Sequence, residues 1–129
     1  MNNLILSLVA GLGATLAIGV LSYAEVSLTE VVLLMAPFGA TAVLVFGVPS
    51  SPLAKPKNVI IGHFITASIG IAFSQYVEIT PITLAIATGL GVSAMLITKT
   101  THPPAGANPI LIMASGQGWS FLFTPVLIG

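Results

Sequence analysis

The sequence predicts an all-α, polytopic helical membrane protein. It forms a single transmembrane domain over residues 1–129, with about five to six spans, some of them broken helices. Three observations lead there. Of the 129 residues, 56% are apolar and 5% charged, at a mean hydropathy of +1.11, whereas a soluble domain is about 25% charged. The three Lys and three Glu bound five charge-free stretches, 1–24, 31–54, 58–77, 79–98 and 100–129. Each can hold a crossing at about 20 residues per span. Two segments rich in Pro and Gly also recur at a fixed offset inside these stretches. Six charges cannot cover a soluble fold, which excludes a soluble enzyme. The same scarcity excludes a nucleic-acid partner, which requires a basic face.

The spans follow in order near 4–24, 31–48, 59–77, 80–98 and 103–115, with a last one starting at Trp119. The first has no Lys or Arg ahead of it and exceeds the 7–15 apolar residues of a signal core, so it is a span and not a leader. The last runs only from Trp119 to Gly129, roughly 16 Å of helix at 1.5 Å per residue. It is a half-helix, a shortened span, or the end of one broken span over 100–129. Charge alternates along the chain: Glu25 and Glu30, then Lys55 and Lys57, then Glu78, then Lys99. Because basic loops stay cytoplasmic, Met1, Lys55, Lys57 and Lys99 are expected inside. The three Glu are expected outside, as solvated loop ends.

Residues 37–46, PFGATAVLVF, align with residues 104–113, PAGANPILIM, at an offset of 67. Carried over 35–62 against 102–129, seven of 28 pairs are identical, among them a Pro and two Gly that constrain the backbone. Combined with the charge pattern, the two copies run in opposite directions. The expectation is an inverted 3+3 repeat (repeat A about 1–67, repeat B about 68–129), an arrangement common among secondary transporters.

Both copies interrupt a helix. Pro37-Phe38-Gly39-Ala40 breaks the second span, and Thr100 to Pro109 holds three Pro and one Gly. Inside a bilayer, broken helices face protein or a water-filled cavity. Helices restarting there have Thr41 or Asn108 available as N-caps, with Pro109 suited to the first helical position. Two such N-termini, at Gly39-Ala40-Thr41 and Gly106-Ala107-Asn108, would form an anion site. His102 adds a donor or a proton, with an ordinary pKa near 6.5. His63, just inside the third span, is either a helix–helix hydrogen bonder or a pathway residue. No metal site is expected, since no carboxylate or Cys joins the two His. No cofactor is expected either, and no nucleotide-binding loop is present. Gly11, Gly13, Gly19, Gly70, Gly89 and Gly91 are expected to allow close helix packing.

The segments THPPAGANP and APFGATAVLVFGVPSSPLAKPKNVIIGH resemble the HPP family of integral membrane proteins, from about Ala36 to the end of the chain. His102, Pro103 and Pro104 match the eponymous motif. Pro37, Phe38, Gly39, Ser50, Ser51 and Pro52 match its upstream segment. The resemblance implies a small multi-pass protein of bacterial plasma membranes or plastid envelopes, associated in some members with nitrite transport. Family members continue past the position of Gly129 with another apolar stretch. With no Arg in the chain, bidentate guanidinium recognition of an anion is impossible, and backbone N–H, Ser, Thr, Asn and His must serve instead. The expectation is a transporter or channel for a small monovalent anion, nitrite first, in a bacterial inner membrane. It would be embedded in lipid as a homo-oligomer. The alternative is a non-transporting assembly or sensory module. An intramembrane enzyme is not expected, for want of a nucleophile–base pair.

Overall fold

Proline opens almost every helix after the first. Pro37, Pro56 and Pro81 stand at the start of helices α2 (Pro37–Ala42), α3 (Pro56–Tyr76) and α4 (Pro81–Thr98). There a missing N–H costs nothing and a φ fixed near −65° is already helical. These elements come from a computed structural model that describes residues 3–27 and 33–129. Helix α1 is Asn3–Ser27, and α2 continues through a π-helical turn, Val43–Gly47. A short 3₁₀ turn, Pro52–Ala54, leads into α3. After α4, a 3₁₀ turn over Pro103–Ala107 runs directly into α5, Asn108–Ser115. The chain closes with a π-helical turn, Leu122–Leu127, interrupted by extended backbone at Thr124.

Among the described residues, three helices are long and apolar enough to cross a bilayer, α1, α3 and α4. The other two Pro-led segments are short: Pro37–Gly47 covers roughly 16 Å and Pro103–Ser115 about 22 Å, against a hydrocarbon core of about 30 Å. The expected spans at 31–48 and 103–115 are therefore broken helices shorter than the core. The first begins only at Pro37, after the non-helical residues 33–36. The last expected span is reduced to the turn ending at Leu127.

Helix α3 is the axis of the molecule. Its buried stripe, Asn58, Gly62, His63, Thr66, Ala67, Gly70 and Ile71, follows the 3.6-residue period and packs on α4, α5 and the two short turns beside them. Gly70 and Gly91 make the packing possible: a Cβ at Gly70 would lie 2.9 Å from the Pro109 backbone, and one at Gly91 would lie 3.1 Å from Thr66 Cγ2. Gly11, Gly19 and Gly89, expected to do the same, meet nothing within 4 Å. Gly13 does admit a close neighbour, since a Cβ there would lie 2.6 Å from the Phe46 ring. The apolar core joins Met35, Ala67, Ile71 and Ile112 to Phe121, Leu122 and Val126 of the closing turn. None of the residues of helix α1 is fully buried, and its main contacts are with α2 and its π turn.

Helices α3 and α4 form an antiparallel pair. Thr80 and Thr83 cap α4 reciprocally, with N–H to hydroxyl distances of 2.8 and 3.2 Å. Lys99, in the left-handed region at φ +57°, turns the chain out of α4. Lys55 and Lys57 at the start of α3 thus share one end of the pair with Lys99, and Glu78 lies at the other. Glu25 differs from the expected solvated loop end. Its carboxylate accepts from the N–H groups of Leu33 and Leu34, at 3.0 and 3.3 Å, and ties the approach to α2 down to α1. Glu30 lies outside the described residues.

Candidate functional site

The helix starts decide where the polar side chains go. Pro37 begins α2 a full turn before Thr41, so Thr41 lies inside the helix and not at its cap. Ala36 occupies the cap position and makes no side-chain cap bond. Likewise the 3₁₀ turn delivers Asn108 to α5 already helical (φ −61°, ψ −47°). Ala107 therefore takes the cap position and Pro109 the second helical place. The expectation of Thr41 and Asn108 as N-caps is corrected on both counts.

At the expected pair of anion-binding N-termini, three backbone donors are already engaged. Phe38 N–H donates to Met35 O and Gly39 N–H to Ala36 O, both at 3.0 Å, while Ala105 N–H donates to His102 O at 2.9 Å. Pro37, Pro103 and Pro104 have no N–H to offer. These donors are consumed by turns of their own segments. The two segments do face each other, but across an open apolar groove of about 830 Å³ lined by Pro37, Ala40, Val43, Pro104, Ala107 and Ile110. Pro103 also lines this groove, and a Cβ at Gly39 or Gly106 would meet nothing within 4 Å.

Freed from capping, Thr41 and Asn108 take part in a network centred on two buried imidazoles. The Thr41 hydroxyl lies 2.9 Å from His63 Nε2 and 2.9 Å from His102 Nε2. His102 Nδ1 is 2.8 Å from Leu53 O, and His63 Nδ1 is 2.8 Å from Asn108 Nδ2. Asn108 Nδ2 also donates to Thr66 Oγ1 at 3.1 Å, and Thr66 donates to Gly62 O at 2.8 Å. The rings stand 5.0 Å apart in an edge-to-face arrangement, and the Phe38 ring meets His63 edge-on at 5.6 Å. His102, Asn108 and Thr66 are fully buried and His63 nearly so.

The direction of every link follows from chemistry. A carbonyl only accepts, so His102 carries its proton on Nδ1 and donates to Leu53. Its Nε2 is then the acceptor, and Thr41 donates to it. The single hydroxyl hydrogen of Thr66 goes to Gly62, so Thr66 accepts from the Asn108 amide. The same NH₂ group donates to His63 Nδ1, which leaves the His63 proton on Nε2, donating to Thr41. With both imidazoles neutral, this pattern places them in opposite tautomers. Asn108 Oδ1 is left buried with no partner.

Beside His63 lies a partly open cavity of about 100 Å³, lined by Phe38, Val59, Ile60, Val126, Leu127 and Gly129. At about 30 Å³ per water, it has room for about three waters or one three-atom ion.

The remaining expected residues act at a distance or not at all. The Ser51 hydroxyl accepts from Leu53 N–H at 3.1 Å and so steadies the carbonyl that receives His102. Ser50 is exposed and makes none of the network's bonds. Three participants escaped the sequence reading: Thr66, the Leu53 carbonyl, and Asn58. Asn58 donates to Thr101 O at 2.8 Å and holds the strand of chain before His102 against α3. Thr66 had a signal, since it sits one turn after His63 on the same face. The Leu53 carbonyl had none, because its partner is 49 residues away.

The family model described as the transmembrane region of HPP proteins matches residues 2–129. Two transmembrane proteins of Dictyostelium discoideum are each 35% identical to the chain over 122 residues, covering 88% of it and 39% and 43% of their own lengths. The chain thus spans about two-fifths of these relatives. No solved structure matches it.

Proposed function

This chain belongs to the HPP transmembrane family, and on that premise we propose that it is a membrane transporter or channel for a small monovalent anion, with nitrite the first candidate. The observation that supports this function is the buried His63–Thr41–His102 cluster beside a cavity with room for one three-atom ion. A polar cluster among apolar helices is costly and marks a pathway. Here every polar group is uncharged. Neutral donors suit conduction, which requires binding weak enough to release the ion. The anion is placed next to His63, and not at the helix starts, where the Phe38, Gly39 and Ala105 N–H groups are already used. His102, Thr41 and Asn108 orient and polarise His63, while Pro37, Pro103 and Pro104 hold the two broken helices that deliver them. The chain needs no cofactor or metal for this role, and no chemical reaction on the substrate is proposed.

The order of elements also supports an inverted 3+3 repeat. A long helix, a Pro-led short helix and a second long helix (α1, α2, α3) are followed by a long helix, a Pro-led short helix and the closing turn. The Lys-bearing end is assigned to the cytoplasm, with Met1, in a bacterial inner membrane. Helix α1, none of whose residues is fully buried in the chain itself, faces lipid or a second copy in a homo-oligomer.

The test is nitrite uptake by proteoliposomes holding this chain, with nitrate and formate as competitors and empty vesicles as control. Saturable uptake that falls at least about tenfold in His102→Ala, with helical content unchanged, is the expected result. Folded protein without uptake would overturn it in favour of a non-transporting membrane module.

A further inference from the structure

Two residues of the imidazole cluster, Thr41 and Asn108, already have in place the partner each would need if its hydrogen bond to a ring were reversed. Thr41 gives its hydrogen to His102 Nε2 at 2.9 Å, but Pro37 O stands 3.2 Å from the same hydroxyl and can take that hydrogen instead. Asn108 presents its NH₂ to His63 Nδ1, while its Oδ1 is buried and unpartnered. A half-turn of the amide would bring that oxygen to Nδ1. Thr66, which now donates to Gly62 O, could then donate to the same oxygen. A merely structural network has no use for a spare buried acceptor, which costs free energy in a low-dielectric interior.

We infer that His63, Thr41 and His102 form a reversible proton relay holding one excess proton, and that a proton therefore travels with each anion. The excess proton enters on His63 Nδ1 as Asn108 turns its oxygen to meet it. The Nε2 proton of His63 passes to Thr41 Oγ1 as the hydroxyl hydrogen of Thr41 passes to His102 Nε2. His63 ends neutral with its proton on Nδ1, Thr41 is unchanged in composition, and the positive charge sits on His102. One proton has been added and none lost. Two charges cannot coexist on rings whose centres are 5.0 Å apart, so the capacity is one proton, which neutralises one monovalent anion. Little else competes for that charge. Helix α2 with its π turn, α4, the Pro103–Ser115 segment and the Leu122–Leu127 turn contain no Asp, Glu, Lys or Arg. On α3 and its approach the titratable groups besides His63 are Lys55, Lys57 and Tyr76, and Lys99 closes α4 at the Lys55 end. Acceptance by the pair is thus governed by the two imidazoles themselves.

The relay does not depend on the identity of the anion, whereas the co-transport rests on the function proposed above. Two measurements on the chain in lipid keep them separate. In ¹⁵N-histidine NMR in nanodiscs, the expected result at neutral pH is a neutral His63 protonated on Nε2 and a neutral His102 protonated on Nδ1. On acidification a single proton should be shared by both rings. Thr41→Val should uncouple the two rings and Thr41→Ser should restore the coupling. Matching tautomers, or independent titration in the wild type, would overturn the relay.

In proteoliposomes with a trapped pH dye, nitrite uptake is expected to acidify the lumen by one proton per anion beyond the empty-vesicle rate, and to ignore a potassium–valinomycin potential. Thr41→Val should slow it by about a hundredfold, with recovery in Thr41→Ser. Uptake without acidification, driven by an inside-positive potential, would overturn the co-transport while leaving anion transport standing. Absence of uptake would overturn the anion function, and the tautomers would still decide the relay.

Discussion

His63 and His102, 39 positions apart in the sequence, direct their Nε2 atoms at the same hydroxyl, each 2.9 Å from Thr41 Oγ1. Their ring centres are 5.0 Å apart. A single oxygen with one hydrogen cannot donate to both rings: with both rings neutral and His102 Nδ1 donating to Leu53 O, it accepts from His63 and donates to His102. The symmetry of the distances therefore conceals an asymmetry of protons, fixed at the far ends by the Leu53 carbonyl and the Asn108 amide.

Asn108 is the anchor whose loss is felt most widely. Its NH₂ serves both His63 Nδ1 and Thr66 Oγ1 from a fully buried position. Asn108→Leu keeps the volume but orphans both acceptors, at about 1–3 kcal/mol. Deletion of the unpartnered Oδ1 offsets part of that. Thermal unfolding in detergent is expected to show a drop of several degrees in Tm for Asn108→Leu, and a smaller one for Asn108→Gln. Equal losses would argue that cavity shape, not the hydrogen bonds, sets the stability here.

The breaks in the helices were legible because proline has no N–H to give, wherever it falls. Pro37, Pro103, Pro104 and Pro109 therefore announced irregular backbone regardless of tertiary context. The three long helices were legible from the spacing of six charges. The role of Thr41 was not. A Thr four residues after a Pro reads equally well as a cap for a later helix or as a residue of a helix that Pro37 has already begun, and the second won. The meeting of His63 with His102 was also out of reach. It requires Asn58 to hold Thr101, and Gly62 to admit the chain so closely that a Cβ there would stand 3.0 Å from Thr100 O. Neither pairing leaves a mark in local periodicity.

The two serines of the upstream segment should separate cleanly. Ser51 caps the 3₁₀ turn through Leu53 N–H, and Leu53 O receives His102. Ser51→Ala is expected to cost about 1 kcal/mol and to broaden the His102 Nδ1–H resonance as its acceptor loosens. Ser50→Ala, at an exposed position outside the network, is expected to leave both Tm and that resonance unchanged.

Glycines offer a sharper contrast. Gly70→Ala places a methyl 2.9 Å from the Pro109 backbone, which no rotamer change can relieve. Overpacking of this kind costs about 1–3 kcal/mol, and the shift of Pro109 would move Asn108 with it. Gly89→Ala, one position type and one helix away, meets nothing within 4 Å. Alanine there gains about 0.5–1 kcal/mol of helix preference. Opposite signs in Tm, with nitrite uptake lost only in Gly70→Ala, are the expected outcome. A loss of stability in Gly89→Ala would indicate a neighbour on that face, such as a second copy of the chain.

Lys99 supplies the last comparison. Its backbone sits at φ +57°, a conformation in which a Cβ costs about 1–2 kcal/mol and glycine costs little. Two backbone bonds hold the turn, Thr100 N–H to Met95 O at 2.9 Å and Lys99 N–H to Leu96 O at 3.3 Å, together with a Thr98–Thr100 hydroxyl bond at 2.7 Å, and none involves the Lys99 side chain. Lys99→Gly is therefore expected to raise Tm in detergent by a few degrees. Yet the lysine also contributes one of three positive charges at the end of the bundle assigned to the cytoplasm, and that contribution disappears with it. If backbone strain is tolerated here for the sake of orientation, Lys99→Gly will be more stable when purified but will insert with mixed topology, as read by the accessibility of a cysteine introduced at Glu78 to an impermeant thiol reagent in intact cells. Uniform labelling in both proteins would show that Lys55 and Lys57 suffice to orient the chain. A lower Tm in the glycine variant would show that the lysine side chain stabilises this end of α4 by more than its backbone strain costs.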